Sequence, residues 1–185
     1  MLKSLFAIWS SKMSKRKIFT RGFVCAFPGC GKSTIHRNAI DYGLLKGLNP
    51  EELKENFSQF LGINETQVFD SDSSHFDKAK FPENYISHML SIQNLYANNF
   101  IALVSSHDNV RHAMKREGLK YDLVFPDRSI KDEFIQRYRD RGSPDAFIKL
   151  MEDKWDDFID SCEKDQTVGR KYRLQSGQYL ADVLL

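Results

Sequence analysis

The chain has 185 residues, 41% of them hydrophobic and 28% charged. These proportions belong to a soluble globular domain and exclude a disordered tail, a collagen-like rod and a membrane bundle. The net charge of +2 hides an asymmetry: eight of the 27 basic side chains and no acid fall in residues 1–40, which leaves 19 basic against all 25 acidic side chains in the rest.

The early cations are Lys3, Lys12, Lys15, Arg16, Lys17, Arg21, Lys32 and Arg37. No apolar run reaches the roughly 18 residues needed to span a bilayer, and Leu5 to Trp9 is too short for a secretory core. Residues 1–17 are basic, rich in serine and free of acids, a composition shared with transit peptides. Met13 also opens "MSKRKIFTRGFVCAF", which reads as a start feeding directly into a strand. We therefore expect a basic tail over 1–17 ahead of one domain over 18–185. Cys25, Cys30 and Cys162 are odd in number and show no paired spacing, so neither a disulfide framework nor a zinc site is expected. A reducing cytoplasm suits them.

Four short apolar runs read as buried parallel strands: Gly22–Phe27, Gln67–Asp70, Phe100–Ser105 and Tyr121–Phe125. Lys171–Gln175 is a fifth, weaker one. The first helix is expected over Gly31–Leu45. Within residues 43–66, "NPEELKENFSQFLG" reads as an inserted helix that either shapes an acceptor pocket or is structural only. Pro82–Asn98 carries Tyr85, Met89, Ile92 and Tyr96 on one face. A further helix runs from an Asp108 N-cap to Gly118 at C′. Ser129 and Asp132 resemble a capping box ahead of Ile130–Arg141. Ser143-Pro144 opens another helix, with proline at N1 and a stripe of Phe147, Leu150, Met151, Trp155, Phe158, Ile159 and Cys162. Strands alternating with helices predict a three-layer α/β domain with a parallel sheet.

The strongest motif is "AFPGCGKS", Ala26 to Ser33. It fits the phosphate-loop pattern G-x-x-x-x-G-K-[ST] with Ala26 in place of the first glycine, between a strand and a helix. Gly29 and Gly31 let the backbone approach phosphate oxygens, and successive N–H groups then face the anion. Lys32 can reach the β- and γ-phosphates, and Ser33 offers a hydroxyl to Mg²⁺. ATP and Mg²⁺ are thus the expected ligands. The third strand runs into Ser105-Ser106-His107, with no acid before Asp108 where motor ATPases and GTPases usually hold their metal, and no N-K-x-D signal is present. A small phosphotransferase is expected instead.

Asp70 and Asp72 lie two apart at the end of the second strand and share one side of an extended segment. There a carboxylate can take a proton from an acceptor hydroxyl, orient the acceptor or hold a metal-bound water. The alternative for either is a turn or cap. Arg137 and Arg141 share a helix face in a basic stretch that suits a lid over ATP, around residues 128–142. Arg111 offers a bidentate fork to an anionic acceptor, or is a surface charge. His107 could hydrogen-bond an acceptor.

Together "AFPGCGKST", "DSDSSHF", "FPENYI", "VSSHDNVR" and "IKDEFIQRYRDRGSPDAF" resemble a family of small P-loop kinase-like proteins common in bacteriophages and prophages, similar to deoxynucleoside monophosphate kinases. The resemblance covers roughly Lys17 to Cys162, with a weaker match at "SGQYLADVL". It implies a P-loop nucleotide-kinase-like fold, a five-stranded parallel sheet in the order 2-3-1-4-5 and transfer of the ATP γ-phosphate to a nucleotide. It implies that Pro28, Gly29, Cys30, Gly31, Lys32, Ser33 and Thr34 hold ATP and Mg²⁺. Asp70 or Asp72 and Arg111 would face the acceptor, with Arg137 and Arg141 in the lid. Residues 43–66 look longer than usual for the family, and the Asp-Arg signal of thymidylate kinases is missing.

The expected function is therefore phosphoryl transfer from ATP to a small nucleotide, a deoxynucleoside monophosphate first. The alternatives are a kinase for a hydroxyl on a sugar, polynucleotide end or modified base, and a non-catalytic ATP-binding module. The basic start is a thin footprint for nucleic acid.

Overall fold

The structure, a computed structural model, describes residues 17–47, 65–166 and 169–184. The expected inserted helix and nearly all of the basic tail lie outside the described residues.

Six strands form one parallel sheet in the order β2-β3-β4-β1-β5-β6. They are β1 (Gly22–Ala26), β2 (Leu45–Lys46), β3 (Gln67–Asp70), β4 (Phe100–Ser105), β5 (Tyr121–Pro126) and β6 (Lys171–Leu174). The expectation of five strands is thus corrected in number and order. The five expected runs keep their expected neighbours, but Leu45–Lys46 adds an edge beside β3, with the Leu45 N–H donating to the Thr66 carbonyl at 2.9 Å.

That edge exists because the first helix is shorter than expected. The helix α1 (Lys32–Arg37) stops at Asn38, whose N–H caps the Thr34 carbonyl. A 3₁₀ turn over Ala39–Tyr42 follows, and Gly43 at φ 71° reverses the chain. Leu44 is then buried.

The helices α2 (Glu83–Tyr96) and α3 (Asp108–Arg116) follow β3 and β4. Tyr85, Met89 and Ile92 are buried as expected. The N-cap of α3 is His107 rather than Asp108, which sits in the first turn, whereas Gly118 does occupy C′ at φ 69°. The expected capping box is replaced by Asp127, which accepts from both the N–H and the hydroxyl of Ser129. The helix α4 (Lys131–Asp140) begins after it.

The single helix expected from Ser143-Pro144 is two, α5 (Asp145–Asp153) and α6 (Trp155–Lys164), with Pro144 at the N-cap. The break at Lys154 lets Trp155 turn inward, where its indole N–H donates to the Arg128 carbonyl at 3.0 Å. Its ring packs at 5.6 Å from Phe27 and 5.7 Å from Phe134. Leu150 is 48% exposed, outside the apolar stripe it was read into. A short C-terminal helix, α7 (Leu180–Val183), closes the described chain.

Consecutive residues are buried along β1, β4 and β5, so side chains pointing to either face of the sheet are covered. The architecture is therefore α/β with a wholly parallel sheet. Among the described residues no helix is long and apolar enough to cross a membrane.

The topology also locates a crevice. β1 and β4 are neighbours, yet the chain leaves β1 toward β3 and leaves β4 toward β5, on opposite sides. Such a reversal parts the loops beyond the strand ends and leaves room for a ligand. The register sets Ala26 beside Ser105 at this end.

Candidate phosphate-binding site

The loop after β1 is built by its own sequence and clamped from three sides. The Phe27 N–H donates to the Val124 carbonyl at 2.9 Å, so the loop starts as an extension of the sheet. Gly29 and Gly31 take left-handed conformations, φ 81° and 99°, on either side of Cys30. The Cys30 carbonyl accepts from the Leu180 N–H at 2.8 Å, and its thiol, pushed up to about 12 by burial, is an inert anchor. Gly31 is the N-cap of α1, and no side chain caps that turn, whose first N–H groups have no partner within the helix.

A Cβ at Gly29 would lie 2.8 Å from Tyr138 Cε1, and one at Gly31 3.4 Å from Tyr179 Cδ1. Tyr138 cannot easily give way. It is fully buried, and its hydroxyl donates to the Pro28 carbonyl at 3.0 Å. Gly29→Ala should therefore cost about 1–3 kcal/mol through strain and overpacking. Gly142, at φ 72° with open space around it, is the control for strain alone. Urea unfolding of both alanine variants checks this, and equal losses would remove the role of Tyr138.

Lys32 is half-buried, with its ammonium donating to the Ala26 carbonyl at 2.8 Å. Burial holds its pKa below the ordinary 10.5, against the opposing pull of Asp70 and Asp72. It lies on the wall of a cleft of about 950 Å³ at the C-terminal ends of the strands.

The same cleft brings together Pro28, Gly29, Gly31, Ser33, Thr34, Asp70, Asp72, Arg137 and Arg141 from the expected set, whereas Cys30 is buried behind it. His107 lies on the wall. Reduced hydration, then the nearby Lys32, holds its pKa below the ordinary value. Arg37, Lys78 and Tyr179 join the lining as well. Tyr179 arrives from far along the chain, and its only sequence signal was the weak tail match.

The two aspartates separate into different roles. Asp72 accepts from the Ser74 N–H at 2.8 Å and caps a 3₁₀ turn over Ser73–His75. Burial opposes its charge, but the hydrogen bonds from Ser74 prevail and hold its carboxyl below the usual range. Asp70, at the end of β3, has a buried Oδ1 without a hydrogen-bond partner. Buried polar atoms are nearly always paired, so this one stands out beside a cleft that Asp70 lines. Tyr85 supports this edge. Its buried hydroxyl donates to the Ser71 carbonyl and accepts the Ser105 N–H at 3.0 Å, tying β3 to β4 where they part.

The arginines differ more from expectation. Arg111 does not line the cleft. Its Nε donates to the Ser106 carbonyl, Nη1 to the Ser161 carbonyl and to Asp165, and Nη2 to the Ser161 hydroxyl. Its fork is spent on α6 and the residues after it, so the expected acceptor contact is corrected.

Arg137 lines the cleft but is only 10% exposed. It is sandwiched between Phe134 at 4.4 Å and Tyr179 at 3.9 Å, paired with Glu133 and bonded to the Gln178 carbonyl. Phe134 and Tyr138 are fully buried, so α4 is docked against the loop in this structure. Arg141 is the exposed cation of the pair, lying over Tyr138 and Phe147 and bonded to the Ser143 hydroxyl.

Among the described residues no cluster of three or more His, Cys, Asp or Glu forms a metal position. Mg²⁺ carried on phosphates needs only one or two protein oxygens, which Ser33 and Asp70 can offer. No family model matches the chain, and no curated protein matches it.

Proposed function

We propose that this chain is an ATP-dependent phosphotransferase of the P-loop nucleotide-kinase type, moving the γ-phosphate of ATP to a small nucleotide. A deoxynucleoside monophosphate is the first candidate acceptor. One observation carries the reading: a glycine-built loop and its lysine share a cleft with Asp70, whose buried Oδ1 has no hydrogen-bond partner.

The residues fit a triphosphate. Gly29 and Gly31 keep the loop clear of Cβ atoms, and N–H groups from Gly29 to Thr34 would cradle the α- and β-phosphates. Lys32 would meet the β- and γ-phosphates as a point charge. Ser33 would hold Mg²⁺, which supplies charge neutralisation when bound. In the transfer an acceptor oxygen bonds to the γ-phosphorus, the bond to the β–γ bridging oxygen breaks, and ADP leaves. Lys32 and Arg141 offset the charge on the moving oxygens. Arg37 and Lys78 line the same cleft and would steady an acceptor phosphate.

A second reading is favoured by two specific observations. Arg111 does not line the phosphate cleft, and Asp70 has an unpaired oxygen. Both suit an acceptor hydroxyl, whose proton Asp70 would take as the new bond forms.

A panel of deoxynucleoside monophosphates, nucleosides and DNA ends, each with ATP and Mg²⁺, tests both readings by ADP release and labelled product. Asp70→Asn should lower turnover about 10²–10⁴-fold on a hydroxyl acceptor and much less on a monophosphate. No ADP release with any acceptor would leave the non-catalytic nucleotide-binding module.

A further inference from the structure

Beside the phosphate cleft lies a second hollow of about 360 Å³. Pro28, His107 and Phe147 line both, so the two spaces adjoin. Half of the remaining lining is apolar, with Phe27, Met151 and Phe158 among its walls. Its polar side holds Ser106, Asp108, Arg111, Asp157 and Ser161. We propose that this hollow receives the flat heteroaromatic ring of the acceptor while the acceptor's reacting end stays in the cleft. The proposal rests on the phosphotransferase reading for the identity of the acceptor.

Three observations support this. First, the size is at the low end of ligand pockets, about 300–1,000 Å³. It suits a ring and part of a sugar, whereas a triphosphate needs the larger space. Second, the walls offer ring and thioether surface, which favours a flat ring over a charged group. Phe147 is held edge-on by Tyr138 at 5.2 Å, so this wall is preformed.

Third, the polar wall is fixed. Arg111 is only 5% exposed and is bonded to Ser106, Ser161 and Asp165.

The side of the loop also matters. Tyr179 lines the cleft next to Gly31 but does not line the hollow, whereas His107 lines both. The hollow therefore opens from the wall that carries His107, away from the side where Tyr179 meets the loop.

The test uses the full chain and two variants. Leu150→Trp narrows the hollow from an exposed position, and Phe158→Ala removes an aromatic wall. With deoxynucleoside monophosphates, both should raise the acceptor KM by about tenfold or more and leave the KM for ATP within about twofold. Deoxyribose 5-phosphate, which has no base, should show no difference between wild type and variants. Titration of thymidine and deoxyguanosine should show the same losses in Kd, while Lys32→Ala should leave nucleoside binding intact. If nucleosides bind with these losses but no acceptor is phosphorylated, the transfer reading fails and the hollow stands as a base site. An unchanged acceptor KM and nucleoside Kd in both variants would overturn it. So would a rise confined to the KM for ATP, which would put the donor's base there.

Discussion

Lys32→Ala is expected to abolish transfer, with turnover falling at least about 10²–10³-fold, the usual loss when one preorganised charge-stabilising group is removed. Triphosphate binding should weaken in parallel, because the ammonium is the cation built into the loop itself. The fold should survive. Burial already penalises the charged form, so removing the charge relieves a cost rather than a support.

The pH dependence has a definite sign. The pKa of Lys32 in the folded chain is below 10.5, so the unfolded chain binds this proton more readily than the folded one. Stability therefore rises as pH climbs from the lowered folded pKa toward 10.5. Affinity for ATP moves the other way over the same range, because the anion needs the charged form. Calorimetry should detect proton uptake on ATP binding at alkaline pH in the wild type and none in Lys32→Met. Identical pH profiles for the two proteins would remove Lys32 from the site.

Arg111→Met should produce the largest loss of stability, about 3–5 kcal/mol. The Arg111 and Asp165 side chains are 5% and 8% exposed, and removing the cation leaves a carboxylate in the interior without its counter-charge, although the Tyr121 hydroxyl still donates to Oδ2 at 2.8 Å. The double variant Arg111→Met with Asp165→Leu should recover most of the loss, because apolar residues of similar volume replace a buried pair with little penalty. Urea unfolding of the two single variants and the double provides the cycle. If the double variant is as unstable as Arg111→Met, the cost lies in packing rather than in the orphaned charge.

The fate of Arg111 illustrates why part of the site was hidden. Its sequence position beside the β4 end suited an acceptor contact, yet its partner Asp165 lies 54 residues further on. No local pattern links the two. The aspartates present the same difficulty on a smaller scale. Both were legible as a pair at a strand end, but their division of labour depended on the turn that Ser73–His75 makes after β3. The docking of α4 likewise depended on Phe27, Phe134 and Trp155 meeting from three separate elements.

The phosphate loop was legible for the opposite reason. Its shape depends on glycines that tolerate φ near 81° and 99° and on a lysine adjacent in the chain, all local properties. The five main strands were legible because buried parallel strands need continuous apolar runs, and the helices because a stripe every three to four residues marks a covered face. The edge strand Leu45–Lys46 was not, since two residues carry no period.

By itself, then, the sequence determined an α/β chain with a glycine-lysine loop between its first strand and helix, because periodicity and backbone freedom act over a few residues. Tertiary structure decided which charges face the cleft. It left one buried oxygen of Asp70 without a hydrogen bond, capped a turn with Asp72, buried Arg111 against Asp165 and drew Tyr179 to Gly31. Charge pairing and close packing are settled only when distant segments meet.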